Sequence, residues 1–173
     1  MQKPDFHKLW QNFPDHKKYR SMKDLYTAIG GAAAKNINLP GFGPNGNTCA
    51  SRLSIAFNKA GVPINPAIAN MVGALTLGTA NGSRIIFRVS DFRKYLLKTL
   101  GKPNTDATSP FDDAFRGKRG IIAFSINWQG ATGHIALWNG RTYREPEYDN
   151  YSIYVNPTHP DIRTSLAEFW EIK

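Results

Sequence analysis

Residue periodicity changes once along the chain, near Gly120, and that change limits the fold more than any other feature. Before it, apolar residues recur mostly at spacings of three and four, interrupted by one strand-like run, "SRIIFRV" (83–89). After it come "GIIAFSINW", "HIALWNG", "YSIYVNP" and "EFWEI", short strand-like runs separated by turn residues. Helices first and strands later predict an α+β fold in which helices lie on an antiparallel sheet. The 173 residues are enough for one core, and no repeat, low-complexity tract or long linker divides them. Residues 1–173 therefore read as a single domain.

The helical half carries its own punctuation. "DFHKLWQNFP" (5–14) sets Phe6, Leu9, Trp10 and Phe13 on one helical face, with Asp5 as N-cap and Pro14 as a stop. "SMKDLYTAIGG" (21–31) opens with a capping-box variant and closes on two glycines. "LPGFGPNGN" (39–47) is a turn-rich loop. "NPAIANMVGAL" (65–75) reads as a helix, and so does "SDFRKYLLKTLGKP", capped by Ser90 and ended by Gly101 and Pro103.

No apolar run approaches the roughly 18 residues of a membrane span, so no membrane insertion is expected. The N-terminus has no continuous apolar segment of the secretory kind, so action outside the cytoplasm would need another export route. The net charge of +9 favours polyanionic partners. Yet Lys and Arg are scattered, and the densest cluster, "HKKYR" (16–20), has no nucleic-acid motif around it. Nucleic acid is not an expected partner.

The chain has one cysteine, which excludes an internal disulfide and a cysteine-rich zinc site. It lies in "GNTCASRLSIAFNKAGVPI" (46–64), where Asn47 or Thr48 is the N-cap and Gly61 and Pro63 end the helix. Cys49, Leu53, Ala56 and Ala60 fall on one face, so Cys49 occupies the first turn and points at the rest of the protein. The free N–H groups of a helix start stabilise a thiolate and can hold the oxyanion of acyl transfer. Packing of Cys49 against Leu53 and Ala56 is the competing, purely structural role.

Of four histidines, His7, His16 and His159 sit in basic or turn segments and read as surface residues. His134 starts a strand after a glycine-containing turn. Asn139-Gly140 is a type I′ hairpin signal, and a two-residue hairpin pairs Trp138 with Arg141 and His134 with Glu145. Opposed side chains share a face, so Glu145 is expected to orient the imidazole. Asp149 has the same parity but lies roughly 13 Å farther along an extended strand. It reaches His134 only if Pro146 breaks the hairpin or a bulge shifts the register.

A cysteine at a helix start, a histidine on a strand and a polar residue beyond it follow the order of papain-like peptidases of the NlpC kind. "NTCASRLSIAFNKAGVPI" and "GHIALWNG" together resemble the type VI secretion amidase effectors, family four. The resemblance implies a papain-like fold with Cys49 and His134 as catalytic core. It implies cleavage between the γ-carboxyl of D-glutamate and meso-diaminopimelate in peptidoglycan stem peptides, without metal or organic cofactor. It implies synthesis in the cytoplasm, delivery by the type VI secretion machinery, action in the periplasm of target bacteria and a cognate immunity protein. The family's third residue is typically an aspartate just beyond the "WNG" turn, where this chain has Glu145. Tyr143 and Glu147 stand where many members carry a cysteine pair. Arg52 and Arg141 are candidates for binding substrate carboxylates, and Trp138 either lines the cleft or is buried. Two other readings remain: another thiol acyl transferase or peptidase on the same core acting on a different amide, and a basic, non-catalytic binding module for cell wall or nucleic acid with a structural Cys49.

Overall fold

The computed structural model describes residues 3–38, 46–108, 111–126 and 133–173. Most of the expected loop at 39–47, the end of "GIIAFSINW" and most of the turn before His134 lie outside the described residues. Capping chemistry starts the first two helices where the sequence suggests. Helix α1 (Phe6–Asn12) begins as the Asp5 carboxylate accepts from the Lys8 N–H at 2.8 Å. Helix α2 (Met22–Ile29) begins as the Ser21 hydroxyl accepts from the Asp24 N–H at 3.1 Å. The chain does not leave the helical path at Gly30-Gly31; it turns there into a short α3 (Gly31–Lys35). Gly31 has φ +67°, and a Cβ on it would lie 2.7 Å from the Gly78 carbonyl oxygen, so only glycine fits.

Helix α4 (Cys49–Lys59) is the centre of the molecule. It is followed by α5 (Pro66–Met71), with Asn65 as N-cap, and by a two-stranded ribbon, β1 (Thr76–Gly78) and β2 (Arg84–Ile86). Helix α6 (Val89–Thr99) then leads to β3 (Thr105–Ala107) and a one-turn α7 (Phe111–Phe115), two short elements with no clear sequence signal. The remaining elements are β4 (Gly120–Ile126), β5 (His134–Trp138), α8 (Pro146–Asp149) and β6 (Thr164–Glu171). The main sheet is antiparallel in the order β3-β6-β4-β5.

Two strand expectations came out differently. The last run, expected at 168–172, is the longest strand and pairs on both sides: Phe169 lies opposite Thr105 and opposite Ile122. "YSIYVNP" is not a strand. It contributes a single bridge, Val155 to Arg163, and leaves Ile153 78% exposed.

Both faces of the sheet are buried, which explains why β4 and β5 read as continuous apolar runs. Ile121, Ala123, Ile135, Leu137 and Trp170 share a core with α4, α1 and α6. Ile122, Phe124, Ala136, Trp138 and Phe169 form a second core with Phe111, Phe115 and Tyr143. A third cluster of Met22, Leu25, Tyr26, Ile55 and Ile85 covers the other side of α4. Every residue of α4 from Cys49 to Phe57 is therefore buried, and its polar side chains are bonded. Ser51 shares a hydrogen bond with the Tyr26 hydroxyl, and Ser54 bonds both backbone groups of Ile86. Among the described residues, no helix is long and apolar enough to cross a membrane.

Candidate active site

Cys49 is the first residue of α4, with Thr48 as N-cap. The Asn47 side chain accepts from the Cys49 N–H at 3.0 Å, while the Thr48 hydroxyl accepts from Arg52 Nε at 2.7 Å. Thr48 occupies the N-cap position without a side-chain cap bond, and Asn47 supplies the side-chain acceptor for the first helical N–H. An oxyanion at the Cys49 N–H has to compete with Asn47 Oδ1.

His134 opens β5 behind Gly133, whose φ is +114°. A Cβ at Gly133 would lie 1.7 Å from the Phe124 carbonyl oxygen, so the strand enters through a space that admits only glycine. The imidazole is 5% exposed. Its Nε2 bonds Asp149 Oδ1 at 2.8 Å, and its face stacks on Tyr151 with centroids 4.2 Å apart. Nδ1 is buried without an ordinary hydrogen-bond partner among the described residues, and it is the nitrogen left for the Cys49 sulfur. Burial alone pulls the His134 pKa down, but negative charge on Cys49 and the hydrogen bonds to Asp149 and Cys49 outweigh it and push it up to about 10.

The acid on His134 is Asp149, and the expected pairing with Glu145 does not form. The turn after β5 is longer than two residues. The Asn139 N–H bonds the Thr142 carbonyl, Asn139 Oδ1 accepts from the N–H groups of Arg141 and Thr142, and Trp138 bridges to Tyr143 instead of Arg141. Pro146 then starts α8, so the ladder ends before it reaches His134. One helical turn advances about 6 Å over four residues instead of roughly 13 Å, and this brings Asp149 back to the ring. Asp149 Oδ2 accepts from the Glu145 N–H at 3.0 Å, so Glu145 supports the site through its backbone. Its carboxylate is spent on His16, accepting from the backbone N–H at 2.7 Å and pairing with Nδ1 at 2.9 Å. Burial raises the Glu145 pKa, but these contacts with His16 lower it more, and the group stays below the usual range.

Other assignments also change. His16, read as a surface residue, stands in the cleft wall with its ring stacked on Tyr148 at 3.9 Å. Arg52 is 1% exposed, and its guanidinium donates to Thr48 Oγ1 and to the carbonyls of Pro14 and Tyr19, so it is a buried tether and not an open carboxylate receptor. Arg141 sits on the exposed turn beyond the far end of β5 from His134. Trp138 is buried in the second core and donates to the Phe115 carbonyl. Cys49, His134, Asp149, His16, Tyr148 and Arg20 line one cavity of about 360 Å³. Among the described residues, no group of three or more His, Cys, Asp or Glu side chains is placed to hold a metal ion.

A buried cysteine at a helix start, a histidine beside it and an aspartate behind the histidine, all lining one cleft, suit acyl transfer by a thiol. A family model described as type VI secretion system (T6SS) amidase effector protein 4, Tae4, matches residues 45–170. The chain belongs to the Tae4 family. Solved structures agree over the whole chain. Tae4 from Salmonella typhimurium, in complex with the immunity protein Tai4 from Enterobacter cloacae, is 29% identical with a TM-score of 0.81, covering 99% of this chain and 100% of that one. Tae4 of the Tae4-Tai4 complex from Enterobacter cloacae is 29% identical with a TM-score of 0.78 over the same shares. Tae4 from Enterobacter cloacae without a named partner gives 28% and 0.77, covering 99% and 98%. No curated protein sequence matches. The protein is thus an antibacterial peptidoglycan amidase effector of the type VI system, with the α+β fold of the Tae4 structures.

Proposed function

We propose that Cys49, His134 and Asp149 are the nucleophile, general base and orienting acid of this amidase, and that the chain works as a single catalytic domain. The observation that carries this reading is the His134 ring, held by Asp149 on Nε2 with Nδ1 left to Cys49. The scissile bond is the amide between the γ-carboxyl of D-glutamate and meso-diaminopimelate. The Cys49 thiolate attacks the amide carbonyl, and N–H groups at the start of α4 stabilise the oxyanion in competition with Asn47. The His134 imidazolium gives its proton to the departing diaminopimelyl amine as the C–N bond breaks. Neutral His134 then takes a proton from water, which opens the thioester and releases the γ-carboxylate and the Cys49 sulfur. Asp149 stabilises the charged ring and fixes its tautomer throughout.

The site of action is the periplasm of the target cell, where the stem peptides are. The Salmonella typhimurium and Enterobacter cloacae relatives are bound by Tai4 immunity proteins, and a cognate immunity protein is the corresponding partner here. Mass spectrometry of purified sacculi treated with wild type and Cys49→Ala tests the reaction. The expected wild-type products carry a new diaminopimelyl amine and a free γ-carboxyl on D-glutamate, with glycan strands intact. Folded Cys49→Ala should lose several orders of magnitude in rate. New reducing sugar ends, or whole stems released from the lactyl group, would name a different reaction.

A further inference from the structure

The carboxylates and the cations of the cleft wall differ in what they have left to offer. Glu145 Oε1 and Oε2 both accept from His16, Asp149 Oδ1 accepts from His134, and Asp149 Oδ2 accepts from the Glu145 N–H. All four carboxylate oxygens are therefore already engaged. The Arg52 guanidinium is spent on Thr48, Pro14 and Tyr19. Arg20 is the exception: its side chain is exposed and has no hydrogen-bond or ion-pair partner among the described residues. It lines the catalytic cavity and also a neighbouring one of about 420 Å³, which shares His16, Glu145 and Tyr148 with it.

The Arg20 backbone is anchored on both sides. The preceding Tyr19 carbonyl accepts from the buried Arg52 at 2.6 Å, and the following Ser21 caps α2. Arg52 belongs to the same helix as Cys49, one turn on, so this tether ties the backbone next to Arg20 to the helix that carries the nucleophile. A fixed backbone with an open guanidinium, beside carboxylates already engaged, suits an anionic ligand group.

We propose that Arg20 is the specificity-determining residue of this cleft, recognising a free carboxylate of the stem peptide next to the scissile amide. This rests on the stem peptide being the substrate. Two groups have the required chemistry, the α-carboxylate of D-glutamate and the carboxylate of diaminopimelate. The planar fork takes either in a bidentate pair, whereas amidation removes the charge and replaces one of the two acceptor oxygens with an NH₂ donor that faces a guanidinium N–H.

The test is the affinity of three stem peptides, measured by NMR titration in a Cys49→Ala background that blocks turnover. One peptide has both carboxylates free, one has the D-glutamate carboxylate amidated, and one has the diaminopimelate carboxylate amidated. Arg20→Ala is expected to weaken the free peptide about tenfold, the scale of one charge-assisted contact at an exposed site, and Arg20→Lys to recover part of it. The penalty should vanish for one amidated peptide, and that peptide identifies the carboxylate. Unchanged affinity in Arg20→Ala, or an equal penalty on all three peptides, overturns the assignment. The reaction reading is judged separately, from wild-type products: an intact γ-amide alongside an Arg20-dependent affinity would refute the bond and leave the recognition standing.

Discussion

Replacing Asp149 by asparagine poses a hydrogen-bond problem the site cannot solve. One carboxylate oxygen faces His134 Nε2 at 2.8 Å and the other faces the Glu145 N–H at 3.0 Å, so both positions require an acceptor. An amide supplies only one. With its oxygen on His134, its NH₂ points at the Glu145 N–H, and a buried donor loses its partner at about 1–3 kcal/mol. With its oxygen on Glu145, its NH₂ points at Nε2 and places the ring proton on Nδ1, the nitrogen that must accept from Cys49. A wrong tautomer of this kind costs up to about 10⁴-fold in turnover. Losing the negative charge also removes part of what holds the His134 pKa up, so that pKa should fall. We expect Asp149→Asn to lose about 10²- to 10⁴-fold in kcat while remaining folded by circular dichroism. Glu145→Gln should lose less, because its side chain reaches the chemistry only through His16. A two-residue hairpin would have given the opposite order. The assay is the initial rate on one purified muropeptide for both variants, with the His134 ring nitrogens followed by NMR. An Asp149→Asn rate within a few-fold of wild type with an unchanged His134 titration, or a larger loss in Glu145→Gln, would refute the argument.

Three further outcomes follow from the same geometry. The His134 pKa is raised from 6.5 to about 10 in the folded protein. Its stabilising contribution is then complete below about pH 6.5 and lost as the pH rises toward 10; the urea midpoint should fall across that window, and less in Cys49→Ala. Arg52→Met leaves the Pro14 and Tyr19 carbonyls and the Thr48 hydroxyl without their donor. It should cost about 3 kcal/mol or more in urea unfolding; a cost near zero would mean that the tether does not form. Gly133→Ala meets both the φ of +114° and the Phe124 carbonyl, so its activity should fall together with its melting temperature as the start of β5 shifts His134. Wild-type activity in that variant would show that the strand entry is not constrained.

Local pattern was enough wherever local physics decides. A cap, an apolar face and a glycine stop define the Cys49 helix, and a glycine followed by a continuous apolar run defines the His134 strand, because these signals lie within a few residues of what they specify. The switch from helical to strand periodicity likewise established the α+β class. Three features needed the packed molecule. Asp149 displaced Glu145 because the true turn is longer than the Asn-Gly pair implies. "EPEYD" carries a clue, a proline suited to the first position of a helical turn, but whether the chain coils or extends there depends on what it can pair with. Arg52 looked like a candidate for substrate carboxylates; it is buried because the segment between α1 and α2 lies over it and offers the Pro14 and Tyr19 carbonyls, which no periodicity reports. His16 looked like one residue of a basic surface segment, and it reached the cleft through Glu145, 129 positions away. Spacing along a chain encodes which residues share a face. Which faces meet is decided by long-range burial, and that became visible only when the sheet, α4 and the N-terminal helices closed on one another.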